Sequence, residues 1–303
     1  MKTMLVTGAY GFVGRHVARA AAQAGYRVSG IGHGTWTREE SRAWGLEDWR
    51  TDDVTLESLL TYGGAPDVIC HCAGSGSVGF SMTHPQQDFS RTVVGTLAVL
   101  EFIRQSSPQT RLVLPSSAGV YGQCETMPIS IDTPLRPTSP YGFHKKMAEE
   151  LCQSYARNFD VRCAIVRLFS VYGIGLRKQL LWDACQKISG DELEFFGTGS
   201  ETRDWIHVDD AAGLLILATE HASAQTPVAN GGTGLATTIA EVLGLVAGQF
   251  GASVPRFSGR SKPGDPTHYQ SNIDEALSWG WHPVRAWREE IGRYVDWYRD
   301  GAP

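Results

Sequence analysis

Residues 4–32, with the sequence MLVTGAYGFVGRHVARAAAQAGYRVSGIG, decide the predicted fold. The apolar run at residues 2–7 predicts a strand, and residues 12–24 combine helical apolar spacing with strong helix formers. Residues 25–31 predict a second strand. Together these segments predict a βαβ unit, in which the two strands lie parallel in one sheet.

The turn between the first strand and the helix contains Gly8, Gly11 and Gly14. Gly8 permits a sharp turn, Gly11 lets the backbone approach a pyrophosphate, and Gly14 lets helix and strand pack closely. The helix N-terminus adds free N–H groups and the positive end of the helix dipole. A glycine-rich turn without a ligand is the alternative. The position of the turn favours a dinucleotide site, which also includes Phe12 and Val13.

Apolar runs and helical stretches alternate along the first half of the chain. The runs lie at residues 68–72, 111–115 and 162–168, and the helical stretches lie near residues 86–105 and 142–158. This alternation predicts an α/β fold with a Rossmann-type, doubly wound parallel sheet. After residue 173 it loosens. We expect a dinucleotide-binding domain over residues 1–173, to which later segments return, and a smaller C-terminal lobe, mainly substrate-binding, over residues 174–303.

Composition narrows the classes of partner. The 303 residues carry a formal net charge of -5 without a basic cluster, so nucleic acid is not expected. The start MKTMLVTG lacks the pattern of a signal peptide, and the longest apolar runs are far shorter than the ~20 residues that cross a bilayer. We expect a cytoplasmic protein without a membrane segment. The six cysteines have no zinc-site spacing, so no metal is expected.

A second cluster of residues points to proton transfer. Ser117 lies in SSAGVYG, residues 116–122, and Tyr141 and Lys145 are four residues apart at the start of a predicted helix, so they share a face. A lysine ammonium there is expected to lower the phenol pKa from about 10 towards neutrality. The phenol can then exchange a proton with a sugar oxygen, to which Ser117 donates a hydrogen bond, while hydride passes to or from nicotinamide. The alternative is chance spacing on an exposed amphipathic helix.

The end of the second strand bears on the choice of cofactor. A carboxylate there binds the ribose 2′-OH of NAD, whereas a basic residue accommodates the 2′-phosphate of NADP. Gly32 stands at that position, followed by His33 and later by Arg38. We predict NADP(H), with His33 and Arg38 among its contacts. NAD is the alternative, in which case this loop faces solvent and selects neither cofactor.

These motifs resemble those of the extended short-chain dehydrogenase/reductase family, in particular its nucleotide-sugar epimerases, dehydratases and reductases. The resemblance extends over nearly the whole chain and includes HCAG at 71–74, VVGT at 93–96, RLFSVYG at 167–173, RDWIHVDD at 203–210 and KPGD at 262–265. It implies that Ser117, Tyr141 and Lys145 are catalytic. It also implies cofactor contacts from Asp53 and Val54 beside the adenine and from Ala73 and Gly74 along the middle of the dinucleotide.

The same resemblance implies a nucleotide-sugar substrate. Arg203 is expected to hold its diphosphate, assisted by Lys262, with further contacts from Ser77 and Ser170. An ion pair of Arg203 with Asp204 or Asp209 is the alternative.

This chain also departs from the family pattern. Ser170 and Thr92 stand where many relatives have asparagine. Ala118 and Gly119 replace the acid that dehydratases carry after the catalytic Ser/Thr, which disfavours 4,6-dehydration.

Two enzymatic hypotheses remain at this stage. One is NADPH-dependent reduction of a 4-keto sugar nucleotide, and the other is C4 epimerisation with NAD. The missing ribose carboxylate favours the reductase. A non-catalytic dinucleotide-binding regulator is a third hypothesis, against which the intact Ser117, Tyr141 and Lys145 argue. The resemblance further implies a homodimer, paired through the helices near 86–105 and 142–158.

Overall fold

The computed structural model describes residues 1–260 and 267–301. Its strands are β1 (Thr3–Thr7), β2 (Arg27–Gly32), β3 (Leu46–Thr51), β4 (Val68–His71), β5 (Arg111–Ser117), β6 (Arg162–Leu168), β7 (Ser170–Tyr172), β8 (Glu194–Phe195), β9 (Thr202–His207), β10 (Val228–Gly231), β11 (Ala236–Thr238) and β12 (Arg256–Phe257). Its α-helices are α1 (Phe12–Gln23), α2 (Arg38–Ala43), α3 (Leu56–Tyr62), α4 (Val78–Thr83), α5 (Pro85–Phe89), α6 (Gly95–Ser106), α7 (Pro140–Phe159), α8 (Gln179–Ser189), α9 (Val208–His221), α10 (Ile239–Phe250), α11 (Asp274–Ser278) and α12 (Trp287–Arg299).

The central sheet has the strand order β10-β6-β5-β4-β1-β2-β3, and its neighbouring strands pair in parallel. This confirms the predicted α/β, doubly wound Rossmann fold. The chain progresses to one side of β1 through β2 and β3, and to the other side through β4, β5 and β6. Ligands of open α/β sheets bind at such a reversal, beyond the carboxyl ends of the strands. The site is therefore expected beyond the ends of β1 and β4.

The two faces of the sheet are covered by different helices because alternate residues of a strand point to opposite faces. In β1, Val6 packs in a core cluster with Val17 of α1, while Leu5 packs in a second cluster with Val99 of α6. All three valines and Leu5 are buried. The buried β1 run explains why the sequence near residue 4 predicted the fold so directly.

The later part of the chain forms smaller sheets and also returns to the central sheet. Strands β7, β9 and β11 form a three-stranded sheet, and β8 pairs with β12. Helices α8, α10 and α12 contribute to a third core cluster beside them. In contrast, β10 completes the central sheet and α9 packs against α1. In the part of the chain that the structure describes, no helix is both long and apolar enough to cross a membrane.

The helix predicted near residues 86–105 is interrupted. Residues Ser90–Val94 form a turn of π-helix between α5 and α6. This turn places Thr92 beside the loop after β4, where its hydroxyl accepts a hydrogen bond from the Ser75 backbone N–H at 3.4 Å. Single π-turns inside α-helices occur frequently at functional sites. Apolar periodicity does not show such an interruption, because one inserted residue changes the helical spacing only locally.

Candidate active site

The glycine loop between β1 and α1 is closely packed against backbone. Gly8 has a φ of +68°, and a Cβ at this position would lie 2.6 Å from the backbone nitrogen of Ala73. A Cβ on Gly14 would lie 2.3 Å from the carbonyl oxygen of Gly8. Neither position accepts a side chain. The turn therefore brings the end of β1, the start of α1 and the loop after β4 together, as the glycine spacing predicts.

The N-terminus of α1 is suited to an anion. Its N-cap residue, Gly11, provides no side-chain hydrogen bond, so among the described residues no side chain of the N-cap pairs with the first N–H groups of the helix, at Phe12 and Val13. These donors and the positive end of the helix dipole favour a phosphate group. The residues of this loop fit a dinucleotide pyrophosphate.

The loop after β4 is fixed by a buried threonine. The hydroxyl of Thr7 accepts a hydrogen bond from the Ala73 N–H at 3.3 Å and lies 2.7 Å from His71 Nδ1. Burial and the nearby charge of Lys145 lower the pKa of His71 to about 3, so this imidazole is neutral at pH 7. Gly74 follows Ala73 and lies against the π-turn. A Cβ on Gly74 would lie 3.5 Å from Thr92 Oγ1.

The residues expected at the adenosine end are in part brought together. His33 Nε2 is hydrogen-bonded to the carboxylate of Asp53, and both side chains are exposed. The neighbouring Val54 is half-buried. Arg38 is exposed as the first residue of α2, and within the described ranges its side chain forms no hydrogen bond or ion pair with His33 or Asp53.

Packing explains the glycine at the usual position of the ribose carboxylate. A Cβ on Gly32 would lie 3.1 Å from both N and Cα of Gly8, which is part of the glycine loop between β1 and α1. A side chain at position 32 would press on that turn. The absence of a carboxylate there follows from this close approach and does not by itself indicate a 2′-phosphate.

Ser117 and Tyr141 meet across Gly119. Ser117 is the last residue of β5, and Tyr141 is the second residue of α7. A Cβ on Gly119 would lie 3.3 Å from Ser117 Oγ and 3.5 Å from the Tyr141 ring, so both side chains border this glycine. Burial raises the pKa of the Tyr141 phenol, hydrogen bonding with Ser117 lowers it, and the charge of Asp88 raises it.

Lys145 lies one helical turn after Tyr141 and is buried. Its Nζ donates a hydrogen bond to the carbonyl oxygen of Pro115 at 2.9 Å, and burial lowers its pKa. The net direction for the Tyr141 phenol is a raised pKa. The prediction that Lys145 lowers the phenol pKa towards neutrality is therefore wrong for this structure, because burial outweighs the opposing effects and the ammonium is directed to Pro115.

A buried serine connects α4 to the start of α7. The Tyr141 backbone N–H donates to Ser81 Oγ at 3.0 Å, and Ser77 caps α4 by accepting from the Phe80 N–H at 3.2 Å. Ser77 thus belongs to a helix that directly contacts the catalytic segment. Lys178, which no sequence motif indicated, reaches the same loop, with its Nζ 3.5 Å from the Gly76 carbonyl oxygen.

Arg203 lies in β9 and is half-buried. The two carboxylates named as its alternative partners are bound by other groups. Asp204 accepts hydrogen bonds from the backbone and hydroxyl of Ser271, at 3.0 and 2.5 Å. Asp209 is 2.7 Å from His16 Nδ1 and 2.8 Å from the Arg19 guanidinium. These contacts argue against an ion pair of Arg203 with Asp204 or Asp209.

Tyr269 connects this lobe to the catalytic loop. Its hydroxyl donates to the carbonyl oxygens of Ala118 and Gly122, each at 3.0 Å. Burial raises the pKa of the Tyr269 phenol, and the charge of Arg203 lowers it. Arg203 lies near the loop that follows Ser117, because its guanidinium donates to the Thr267 carbonyl oxygen at 3.4 Å and the Thr267 N–H donates to the side chain of Gln123 at 3.1 Å. Ser170 is half-buried at the start of β7, which pairs with β9.

The remaining expectations concern Lys262 and metal binding. Lys262 lies outside the described residues. Within residues 1–260 and 267–301, no group of three or more His, Cys, Asp or Glu side chains is placed to hold a metal ion.

Comparison with known proteins agrees with this geometry. The chain is 29% identical over 318 residues to UDP-glucose 4-epimerase from Mycolicibacterium smegmatis, covering 98% of each chain. It is 26% identical over 304 residues to a putative UDP-glucose 4-epimerase from Methanocaldococcus jannaschii, again covering 98% of each. The structure of MoeE5 in complex with UDP-glucose and NAD superimposes with a TM-score of 0.85 at 27% identity, covering 99% of this chain and 100% of that one.

A family model also matches the chain. The model of the NAD dependent epimerase/dehydratase family matches residues 4–230, from β1 to β10. This range contains the glycine loop, Ser117, Tyr141, Lys145 and Arg203. The predicted relationship to extended short-chain dehydrogenase/reductase enzymes of nucleotide sugars is thereby confirmed. The chain belongs to the NAD dependent epimerase/dehydratase family.

Proposed function

We propose that this protein is an NAD-dependent nucleotide-sugar 4-epimerase. The observation that carries the proposal is the meeting of Ser117 and Tyr141 across Gly119, with buried Lys145 one turn away, at the reversal of the sheet. The epimerase relatives and MoeE5 support this reaction over the NADPH-dependent 4-keto reduction that the sequence analysis preferred.

The choice of NAD over NADP rests on two observations. The matching family is described as NAD dependent, and MoeE5 binds NAD. The reason for expecting NADP was the missing carboxylate at Gly32, which close packing against Gly8 now explains. In addition, the Asp53 carboxylate lies beside His33 at this end of the site, so a 2′-phosphate would meet a negative charge.

The proposed proton chemistry belongs to Tyr141. As a phenolate, Tyr141 takes the proton of the sugar C4 hydroxyl during oxidation, and as the resulting phenol it returns that proton during reduction. Ser117 donates a hydrogen bond to the same sugar oxygen, and the Lys145 ammonium supplies positive charge near the phenolate that forms. A nicotinamide bound beside these residues would supply the hydride acceptor for oxidation and the hydride donor for reduction. Because burial raises the phenol pKa, the proton transfer depends on this charge compensation.

The proposed substrate is a nucleoside diphosphate sugar. Arg203, with Lys262, would hold the diphosphate between the Rossmann part and the lobe over residues 174–303, since a guanidinium matches phosphate oxygens in pairs. Ser77 and Ser170 would contact the substrate from the loop before α4 and from β7. The position of Arg203 near the Ser117 loop, to which Thr267 connects it, supports this orientation.

A homodimer is part of the proposal. Helices α5 to α7 carry apolar side chains that are between 38% and 49% exposed, namely Phe89, Val94, Leu97, Phe143 and Met147. The same helices bury Leu100 and Ile103 in the monomer core, so only part of their apolar surface is used internally. Two copies of the exposed face would bury each other's apolar surface. Light scattering at micromolar concentration tests this, and a monomeric mass would count against it.

The function is tested by product analysis. Purified protein is incubated with UDP-glucose, UDP-N-acetylglucosamine or UDP-glucuronic acid. NAD or NADP is supplied in substoichiometric amount. The proposal expects interconversion of C4 epimers for at least one substrate without net cofactor reduction. A parallel reaction supplies NADPH and a 4-keto sugar nucleotide. Stoichiometric oxidation of NADPH in that reaction, with no interconversion of epimers in the first one, would identify a reductase instead.

A further inference from the structure

Two cysteines lie in contact at the end of β4. Cys70 is fully buried inside the strand, Cys72 is half-buried just after it, and their Sγ atoms are 3.6 Å apart. All six cysteines, which lie within the described ranges, are free thiols. The pair takes no part in the proposed proton and hydride chemistry. It directly precedes Ala73 and Gly74, from which the sequence analysis expects cofactor contacts.

A tight turn brings the pair close enough to be linked covalently. The Cys72 N–H donates a hydrogen bond to the Cys70 carbonyl oxygen at 3.1 Å, the i+2 to i contact of a γ-turn. Residues i and i+2 of an extended strand have Cα atoms about 6.4–6.8 Å apart, and this turn shortens that distance. It then lies within the roughly 4.4–6.8 Å that a disulfide spans. The two sulfur atoms need to approach by about 1.5 Å to reach bonding distance.

We propose that Cys70 and Cys72 form a thiol–disulfide switch, in which a low-molecular-weight disulfide oxidises the pair and the new intramolecular disulfide weakens dinucleotide binding. In the first step the Cys72 sulfur attacks the reagent, forms a mixed disulfide and releases one thiol, which carries away the Cys72 proton. In the second step the Cys70 sulfur attacks the Cys72 sulfur and displaces the second thiol, which takes the Cys70 proton. The cysteine pair loses two electrons, and the reagent is reduced to two thiols.

The different burial of the two side chains sets the order of these steps. Cys72 is partly open to solvent, whereas Cys70 packs in the core cluster that contains Val17 of α1. The hydrogen bond with Cys72 and burial raise the pKa of the Cys70 thiol well above its ordinary value. Cys70 therefore keeps its proton until Cys72 has reacted, and it meets only a sulfur that already lies beside it.

Backbone packing connects the thiols to the glycine loop. A Cβ on Gly8 would lie 2.8 Å from the Cys72 carbonyl carbon and 2.6 Å from the Ala73 nitrogen, so the loop packs against the peptide bond that follows Cys72. The Ala73 N–H also donates to Thr7 Oγ1 at 3.3 Å. A disulfide that draws Cys72 towards Cys70 moves this peptide bond. The loop that fits a dinucleotide pyrophosphate then loses its packing surface.

The other cysteines of the chain provide internal controls. Cys152 and Cys163 are also neighbours, with Cys163 Sγ 4.0 Å from the Cys152 carbonyl oxygen, but both are completely buried. Cys124 is half-buried, and its sulfur contacts the Gly122 carbonyl oxygen at 3.9 Å. The reagent should therefore not reach the first pair, and it should modify Cys124 without closing an intramolecular disulfide.

The experiment oxidises the purified protein with bis(2-hydroxyethyl) disulfide. Remaining thiols are alkylated, and mass spectrometry of the digested protein should find the peptide with Cys70 and Cys72 lighter by two hydrogen atoms and not alkylated. Calorimetric titration of the oxidised protein should give an NAD affinity about tenfold lower, a typical coupling between two sites. Dithiothreitol should restore both the thiols and the affinity.

Matched variants separate the pair from general oxidation. Cys70→Ala should stop at the mixed disulfide, and Cys72→Ala should not react at this loop, whereas Cys124→Ala should form the Cys70–Cys72 disulfide as wild type does. Each variant is compared with its own reduced form. Absence of this disulfide after prolonged oxidation of wild type, or a disulfide that leaves NAD affinity unchanged, would overturn the proposal.

Circular dichroism checks that the oxidised protein stays folded, and global unfolding on oxidation would also overturn the proposal. The dinucleotide part rests on the proposed cofactor site. Reduced protein that binds no dinucleotide would refute that part together with the proposed function. Failure of the disulfide alone would leave the epimerase assay unaffected, so the two failures are distinguishable.

Discussion

The backbone N–H of Tyr141 donates a hydrogen bond to the buried hydroxyl of Ser81, at an N to O distance of 3.0 Å. The first N–H groups of a helix have no partner within it, so Ser81 of α4 satisfies one of those of α7. Ser81→Ala should leave this N–H unpaired and lower the free energy of unfolding by about 1–3 kcal/mol. Urea denaturation measures this change in the free energy of unfolding.

Thr83→Ala is the matched control, since Thr83 lies on the same helix and is exposed. It should change stability by no more than about 0.5 kcal/mol. Equal stability of Ser81→Ala and wild type would mean that water replaces the serine, and that α4 does not hold the catalytic tyrosine.

Restoring a carboxylate at the end of β2 should harm cofactor binding. In Gly32→Asp the new Cβ would press on Gly8, 3.1 Å away, and distort the glycine loop. We expect NAD affinity to fall by about tenfold or more, as a close contact of this kind costs about 1–3 kcal/mol. Calorimetric titration with NAD measures it, and Gly248→Asp, where an added Cβ meets no atom within 4 Å, is the control. Tighter binding of NAD by Gly32→Asp would refute the packing argument.

Arg203→Ala should weaken the binding of a nucleoside diphosphate by about 2–5 kcal/mol and barely change NAD binding. The reason is that the guanidinium would pair with phosphate oxygens of the substrate, not of the cofactor. Arg256→Ala, an exposed arginine of the same lobe in β12, should leave both affinities unchanged. The measurement is calorimetry with UDP, GDP and dTDP. Unchanged affinity for all three, where wild type binds measurably, would assign Arg203 a structural role.

His71 should make the protein sensitive to acid. Its pKa is lowered from 6.5 to about 3 by burial and the charge of Lys145. Below pH 6.5 His71 therefore binds a proton in the unfolded chain but not in the folded one. Its contribution to the free energy of unfolding is complete above pH 6.5 and is lost as the pH falls towards 3. Between pH 7 and pH 5 the loss is about 2 kcal/mol.

Buried His16 and His207, whose pKa values are also lowered by burial, add to this loss. The comparison is therefore made with His71→Asn, which should lose about 2 kcal/mol less than wild type over the same interval. Urea denaturation at the two pH values measures the difference. Identical losses would show that His71 accepts a proton in the folded state.

The fold and the core of the site were predictable because local chemistry determines them. The apolar β1 run, the glycine spacing at positions 8, 11 and 14 and the helical spacing of Tyr141 and Lys145 all express geometry that spans fewer than ten residues. Backbone conformation and side-chain direction follow from such spacing without knowledge of distant contacts.

The errors came from contacts that join distant parts of the chain. The packing of Gly32 on Gly8 depends on the register of β2 beside β1, and it led the sequence analysis to NADP. The raised pKa of Tyr141 depends on burial and on Asp88, which is 53 residues away in the sequence. The π-turn at Thr92 and the position of Lys178 likewise had no local pattern.

The proposed epimerisation requires that hydride leaves C4 of the sugar and returns to the same carbon. The most direct measurement uses UDP-glucose deuterated at C4, with substoichiometric NAD and mass spectrometry of the separated epimers. We expect the product epimer to retain the deuterium, and Tyr141→Phe to lower the rate by about 10²–10⁴-fold with nearly unchanged NAD affinity. Loss of the deuterium from the product, or its accumulation in free reduced cofactor without any epimer, would show that hydride does not return to C4 of the same sugar.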